Sequence, residues 1–240
     1  MLRRLESGKQ VDILEMLFAE ERRHTDRPWV MLNMVSSIDG ATALRGGATA
    51  LNDADDRALF LALRAVADVV LIGAQTVRSE NLGPVRMSDA MNRYRDHAGL
   101  EGQPRMAILS RSLNLDSDDR VFADTSKRPM VVTEQGADPE RLEVIGQVAD
   151  VVVAPVLDGA GIINALGDVQ VILCEGGPTV NSQLIAADVV DEINLTISPL
   201  FAMGHSKRIA VGEELDPPIE LVLDRTLSGD RSLFLRYVKE

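Results

Sequence analysis

The 240-residue chain has one cysteine, Cys174. That excludes an internal disulfide and a zinc site built from several thiolates. Histidine is scarce as well. His24, His97 and His205 stand far apart, without the spacing of a metal-binding set. No apolar run approaches the roughly 20 residues that a membrane helix needs. The N-terminus starts basic, but Glu6, Asp12 and Glu15 interrupt any signal-peptide apolar region. The chain is therefore expected in the cytoplasm, with no membrane partner. Cations are outnumbered too: 25 Lys and Arg stand against 37 Asp and Glu, a net charge of −12. Such a surface repels phosphate backbones, so nucleic acid is not an expected partner. A phosphorylated small molecule would need cations gathered locally, which makes each arginine near a strand end informative.

Several motifs are also missing. The chain has no G-x-S-x-G elbow, no G-x-G-x-x-G fingerprint, no P-loop and no H-x-E…P-C-x-x-C zinc deaminase signature. Hydrolase triads, a standard dinucleotide-binding turn and zinc deamination therefore have no support, and no metal site is predicted.

What is present reads as strands alternating with helices. PWVMLNMV (28–35), ADVVLIG (67–73), MAIL (106–109), PMVVT (129–133), VVVAP (151–155), VQVILCE (169–175) and EINLTISP (192–199) are predicted strands. Asn52 or Asp53 is placed to cap a helix over 54–67, Asp158–Leu166 reads as a short helix, and Pro178–Ala187 as a helix opening on proline. IELVLD (219–224) and SLFLRYV (232–238) read as a terminal antiparallel pair. The expected fold class is α/β, a mostly parallel central sheet flanked by helices with an antiparallel C-terminal strand pair. Residues 1–27, patterned by Val11, Leu14, Leu17 and Phe18, are expected to form an N-terminal helical extension. Residues 28–240 would form the main domain, with a long structureless loop over 82–104.

In open α/β sheets ligands bind beyond the carboxyl ends of the strands. Four predicted strand ends carry glycines, hydroxyls or arginines: SSIDGAT, GAQTVRSENLGPVR, SRS and EGGPTVNS. In the last, Gly176 and Gly177 let a backbone approach a ligand closely. The helix that follows offers free N–H groups to a phosphate or pyrophosphate. A tight turn before an ordinary capped helix would give the same residues. Thr76 is placed to cap the turn after Gly73, and Arg78 reads as a solvated helix-end cation. Arg111 between two serines suits a monoester phosphate such as the 2′-phosphate of NADP, although a solvated turn arginine is the plainer account. Arg86 is the loop cation best placed for a substrate phosphate, while Arg93 and Arg95 read as solvated. Cys174 reads as a packed thiol.

The ordered blocks NMVSSIDGAT, LRAVADVVLIGAQTVRSENLGPVR, ILSRSLNLD and CEGGPTVNSQLIAADVVDEINLTISPLFAMG together resemble the pyrimidine reductase family of riboflavin biosynthesis. That resemblance implies a dihydrofolate-reductase-like fold. It also implies NADPH-dependent reduction of the ribosyl group of 5-amino-6-(5-phosphoribosylamino)uracil to ribityl, by a free-standing reductase without the deaminase domain. It places Val35, Ala50, Thr76, Glu80, Ser110, Arg111 and the stretch Gly176, Gly177, Pro178, Thr179, Val180, Asn181, Ser182, Gln183 against the cofactor. Ala48, Arg64, Pro84, Arg86 and Glu175 fall at substrate-contacting positions. Asp39 is expected to shape the turn beside the nicotinamide. Glu80 or Glu175 is the expected proton donor or relay. The resemblance also implies a homodimer. The chain departs from the family's usual pattern at Asn33, where lysine is common, at Ala50, where a larger group is common, and at Glu80-Asn81-Leu82, where Asp-Asp-Pro is common. A pterin reductase of the same fold and a non-catalytic NADPH- or metabolite-binding protein are the alternatives.

Overall fold

The computed structural model describes residues 1–24, 26–123 and 127–240; Thr25 of the expected extension lies outside this set. The strands are β1 (Arg3–Arg4), β2 (Trp29–Ser37), β3 (Val69–Gly73), β4 (Arg105–Leu109), β5 (Met130–Glu134), β6 (Asp150–Ala154), β7 (Val171–Cys174), β8 (Glu192–Ser198), β9 (Val222–Ser228) and β10 (Leu233–Val238). The helices are α1 (Ile13–Ala19), α2 (Ala54–Ala65), α3 (Ala74–Ser79), α4 (Asp89–His97), α5 (Pro139–Val148), α6 (Gly159–Ala165) and α7 (Pro178–Ala186). All ten strands form one sheet in the order β1-β9-β10-β8-β2-β7-β3-β4-β5-β6. Pairing is parallel from β8 through β6 and antiparallel at β8–β10, β10–β9 and β9–β1. The predicted α/β class and mostly parallel sheet are what the structure shows.

The sheet separates two apolar layers. Met31, Val70, Ile72, Ile108 and Val131 face α1, α2, α3 and α5. Val30, Leu32, Leu71, Val132 and Cys174 face α6 and α7. The alternation along β2 and β3 is that of strands buried on both faces, which is why they read as continuous apolar runs. Asp53 is the cap of α2: its Oδ1 accepts from Asp56 N at 2.8 Å. The first 24 residues pack onto this body. β1 pairs with β9, and Leu17 of α1 is fully buried in the first layer.

Four expectations need correction. The loop 82–104 is not structureless: it holds α4, capped by Ser88, whose Oγ accepts from Met91 N. Arg95 in that helix is not solvated but 2% exposed, donating to Ala65 O and Ala67 O at the end of α2. A cation there meets the negative end of the helix dipole. The strand predicted at 219–224 is displaced to 222–228. Thr76 does not cap α3, which begins directly after Gly73, its N-cap.

Candidate active site

Because β2, β3, β4 and β7 run parallel, their carboxyl ends lie along one edge of the sheet, and all four motif-bearing segments meet there. β7 enters between β2 and β3. This makes two distant parts of the sequence neighbours. Glu175 N donates to Leu71 O at 2.9 Å, and Gly73 N to Gly176 O at 2.8 Å. Leu32 pairs with Cys174 and Asn33 with Asn194, so Glu175 leaves the sheet level with Asn33 and Asn194.

The glycines are required by what surrounds them. Gly176 has φ +86°, a conformation side chains rarely adopt. A Cβ on Gly177 would lie 2.9 Å from Thr76 Oγ1, and one on Gly73 would lie 3.1 Å from Val180 Cγ2. α3 and α7 are therefore brought together at their starts, with Thr76 against the opening of α7. Gly177 is the N-cap of α7 and makes no side-chain cap; Pro178 follows in the first turn. The Thr179 and Val180 N–H groups thus have no intrahelical acceptor, while Asn181 N donates to Gly177 O. This nine-residue helix starts as an uncapped donor surface, which suits an anion.

The structure divides the stretch expected to hold the cofactor. Asn181 is fully buried: its Nδ2 donates to Ile209 O at 2.7 Å and its Oδ1 accepts from Cys174 Sγ. Val180 is buried against Gly73, and Gln183 Nε2 donates to Leu157 O at 2.7 Å. These three side chains are engaged in packing and loop anchoring. Gly177 and Ser182 are half-buried and Thr179 is exposed, while Gly176 is buried. Cys174 is fully buried and its thiol is pushed up to about 12 by burial. It is a packed thiol.

On the other side of the edge, Arg64 near the end of α2 grips Glu175. Nε donates to Oε1 at 2.6 Å and Nη2 to Oε2 at 2.7 Å, with both side chains buried. Burial opposes the Arg64 charge, but the Glu175 carboxylate outweighs it and raises the guanidinium above its ordinary value. Phe60, one turn earlier, lies under the guanidinium at 4.3 Å. Glu80, at the end of α3, reaches the 45–50 segment instead: Oε1 accepts from Ala48 N at 2.9 Å and Oε2 from Thr49 Oγ1 at 3.4 Å. Ala50 in this segment is exposed, and Val35 in β2 is half-buried. Asp39 clamps two loops, accepting from Ser37 Oγ, Ala202 N and Met203 N. Those donors, Ser37 foremost, hold its carboxyl down at about 2.

Pro84 is half-buried in the loop between α3 and α4. Arg86 is exposed and has no hydrogen-bond or salt-bridge partner among the described residues, and Arg78 donates to Asn114 O. Arg111 is exposed but not free: its Nε pairs with Glu134 Oε1 at 2.6 Å. Ser110 is buried, its N donating to Val132 O at 2.9 Å. Sequence reasoning missed Glu134 because only the β4–β5 pairing brings it to Arg111.

The RibD C-terminal domain family model matches residues 28–232. The chain is 26% identical over 226 residues to a 2,5-diamino-6-ribosylamino-4(3H)-pyrimidinone 5′-phosphate reductase from Methanothermobacter thermautotrophicus, covering 88% of this chain and 98% of that one. A reductase of the same name from Aquifex aeolicus is 27% identical over 200 residues, covering 79% and 84%. The structure superposes on a pyrimidine reductase-like protein from Corynebacterium diphtheriae with a TM-score of 0.83 at 27% identity, covering 95% and 98%.

Proposed function

Since the chain belongs to the RibD C-terminal domain family, we propose that it is an oxidoreductase of riboflavin biosynthesis. In this reading it uses NADPH to reduce the ribosyl group of a 5′-phosphorylated ribosylaminopyrimidine to ribityl. The observation that carries the reading is the juxtaposition at one sheet edge of an uncapped, glycine-led helix start with the buried Arg64–Glu175 pair. The first can hold a pyrophosphate. The second presents fixed polarity to a substrate next to it. The sequence pointed to 5-amino-6-(5-phosphoribosylamino)uracil, and two relatives are named for the 2,5-diamino pyrimidinone. The sugar chemistry is common to both bases.

The residues fit the cofactor. Gly177 and the Thr179 and Val180 N–H groups would receive its pyrophosphate, Thr76 would lie beside it, and Arg111 with Ser110 would meet the 2′-phosphate. Bound there, NADPH would supply the hydride. The chain supplies position, exclusion of water and a proton. Asp39 fixes the loops after β2 and β8, which flank the reacting centre. Arg86 anchors the substrate's 5′-phosphate. Both oxygens of Glu175 are occupied by Arg64, which casts Glu175 as an orienting group. Among the described residues Glu80 accepts only from the neutral donors Ala48 N and Thr49 Oγ1, and it takes the proton-relay role.

Among the described residues no helix is long and apolar enough to cross a membrane, and the reading places the enzyme in the cytoplasm. The homodimer belongs to the same proposal. β10 is interior, between β8 and β9, so the terminal strands offer a partner a sheet face more than an edge. Leu223 and Leu233 are exposed at 50% and 40% on those strands. The decisive assay follows NADPH oxidation with each pyrimidine offered separately. Turnover with either establishes the sugar reduction and the faster one fixes the base. NADPH binding without turnover on both would overturn the enzymatic reading.

A further inference from the structure

We propose that Glu134 is a specificity-determining residue that restrains the preference for a 2′-phosphorylated cofactor. This inference rests on the cofactor placement above. It starts from an unbroken chain of contacts running from α7 to Arg111. Gln183 in α7 donates to Leu157 O at 2.7 Å. Leu157 N donates to Glu134 Oε2 at 3.4 Å. The other oxygen, Oε1, meets Arg111 Nε at 2.6 Å. Thr133 Oγ1 in turn donates to Arg111 O at 3.3 Å, tying the arginine's backbone to β5. The pair therefore stands beside the helix whose first turn would hold the pyrophosphate, on the side towards β4 and β5, where the adenosine half would extend.

The chemistry of the two groups is opposed. A guanidinium favours a monoester dianion, and a carboxylate repels it. A carboxylate next to a ribose accepts a hydrogen bond from a free 2′-hydroxyl, the arrangement that selects the unphosphorylated dinucleotide elsewhere. With Glu134 on its Nε, Arg111 offers an incoming phosphate only its two Nη groups, and part of its charge is already neutralised. The Arg111 side chain is 64% exposed and that of Glu134 26% exposed, so water screens the pair and it opens at low cost. The consequence is a shallow preference: NADPH is favoured by Arg111, NADH is tolerated through Glu134, and the balance is set by one ion pair.

The test measures dissociation constants for NADPH and NADH, and for 2′,5′-ADP and 5′-ADP as probes of the adenosine end. The proteins are the full chain, Glu134→Gln, Arg111→Ala and the double variant, with thermal melting to confirm folding. Glu134→Gln is expected to tighten NADPH and 2′,5′-ADP about fivefold, the scale of a released, partly exposed pair, while weakening NADH and 5′-ADP, whose 2′-hydroxyl loses a carboxylate acceptor. Arg111→Ala leaves the unpaired Glu134 carboxylate to repel the 2′-phosphate and turns the preference towards NADH, and adding Glu134→Gln to it removes that repulsion and levels the two cofactors. If Arg111→Ala lowers the NADPH-to-NADH ratio but Glu134→Gln leaves it unchanged, the role of Glu134 is overturned and the cofactor placement stands. If neither variant moves the ratio, the placement at Arg111 fails and this inference falls with it.

Discussion

One guanidinium holds both carboxylate oxygens of Glu175: Arg64 Nε lies 2.6 Å from Oε1 and Nη2 lies 2.7 Å from Oε2. The two residues come from the end of α2 and the end of β7, and the insertion of β7 between β2 and β3 brings them together. Their side chains are 7% and 4% exposed. Removing either partner strands a buried charge, at a cost of about 3–5 kcal/mol. Glu175→Ala should therefore lower the urea midpoint sharply and abolish turnover. Arg64→Met/Glu175→Leu fills the space with apolar groups and should recover much of the stability but no turnover. Recovery of turnover in that double variant would show that the pair is structural only.

Gly177 separates cofactor binding from folding. Its φ of −75° lies in the region that any residue adopts. What an alanine methyl meets is Thr76 Oγ1, 2.9 Å away. Gly177→Ala should weaken NADPH by about tenfold or more, the effect of roughly 1.4 kcal/mol, with a nearly unchanged melting temperature. Thr76→Ala in the same chain removes the clash and should return part of the affinity. An unaltered NADPH dissociation constant in Gly177→Ala would place the pyrophosphate elsewhere.

Much of this arrangement is legible in the sequence, because β3, β4 and β7 are apolar on both faces, β8 alternates, and the ends of β2, β3, β4 and β7 carry glycine, hydroxyl or arginine motifs. The two elements that were misread share a cause. In β9 the inward residues are Arg225 and Leu227, and in α4 the buried residue is Arg95. An inward arginine breaks the apolar period that reveals an element, so the apolar IELVLD run drew the strand three residues early and the charged DAMNRYRDH read as loop. Asn181 and Gln183 illustrate a second limit. A polar residue in a phosphate-binding stretch looks like a ligand contact until its side-chain partners, Ile209 O and Leu157 O, are known.

Glu80 combines two tasks that its substitutions can separate. Its carboxylate holds the 45–50 segment through Ala48 N and Thr49 Oγ1. Glutamine keeps an acceptor for Ala48 N but cannot relay a proton, whereas alanine loses both. Glu80→Gln should lower kcat about 10²-fold and alter the pH profile with little change in KM. Glu80→Ala should also raise KM. A Glu80→Gln enzyme with the parent's kcat at every pH would leave Glu80 as a loop clamp alone.

Arg86 is an exposed cation in an acidic protein. As a substrate-phosphate anchor it contributes to binding more than to chemistry. Arg86→Ala should raise KM for the phosphorylated pyrimidine about tenfold or more, the worth of one charge-assisted contact, with kcat largely kept. The dephosphorylated substrate should show no such difference between the two enzymes. An equal effect on both substrates would remove Arg86 from the phosphate.

Acid should unfold the protein through Glu192. This fully buried carboxylate accepts from Arg22 Nε and Arg236 Nη2 at 2.9 Å, and from Trp29 Nε1 at 3.1 Å. Burial alone would push it up, but Arg22 and Arg236 outweigh burial and hold it down at about 2, against an ordinary value of 4.5. A carboxyl depressed in the folded state stabilises it above the ordinary value and loses that contribution as pH falls through the depressed one. The window here is therefore from about 4.5 down to about 2, and the contribution lost is on the order of 3 kcal/mol. Arg22 belongs to the N-terminal segment and Arg236 to β10, so the same titration should loosen the segment from the sheet. Denaturant unfolding of Glu192→Gln and the parent should differ most near neutrality and converge towards pH 2. A gap that stays constant across that range would assign the acid sensitivity to other carboxylates.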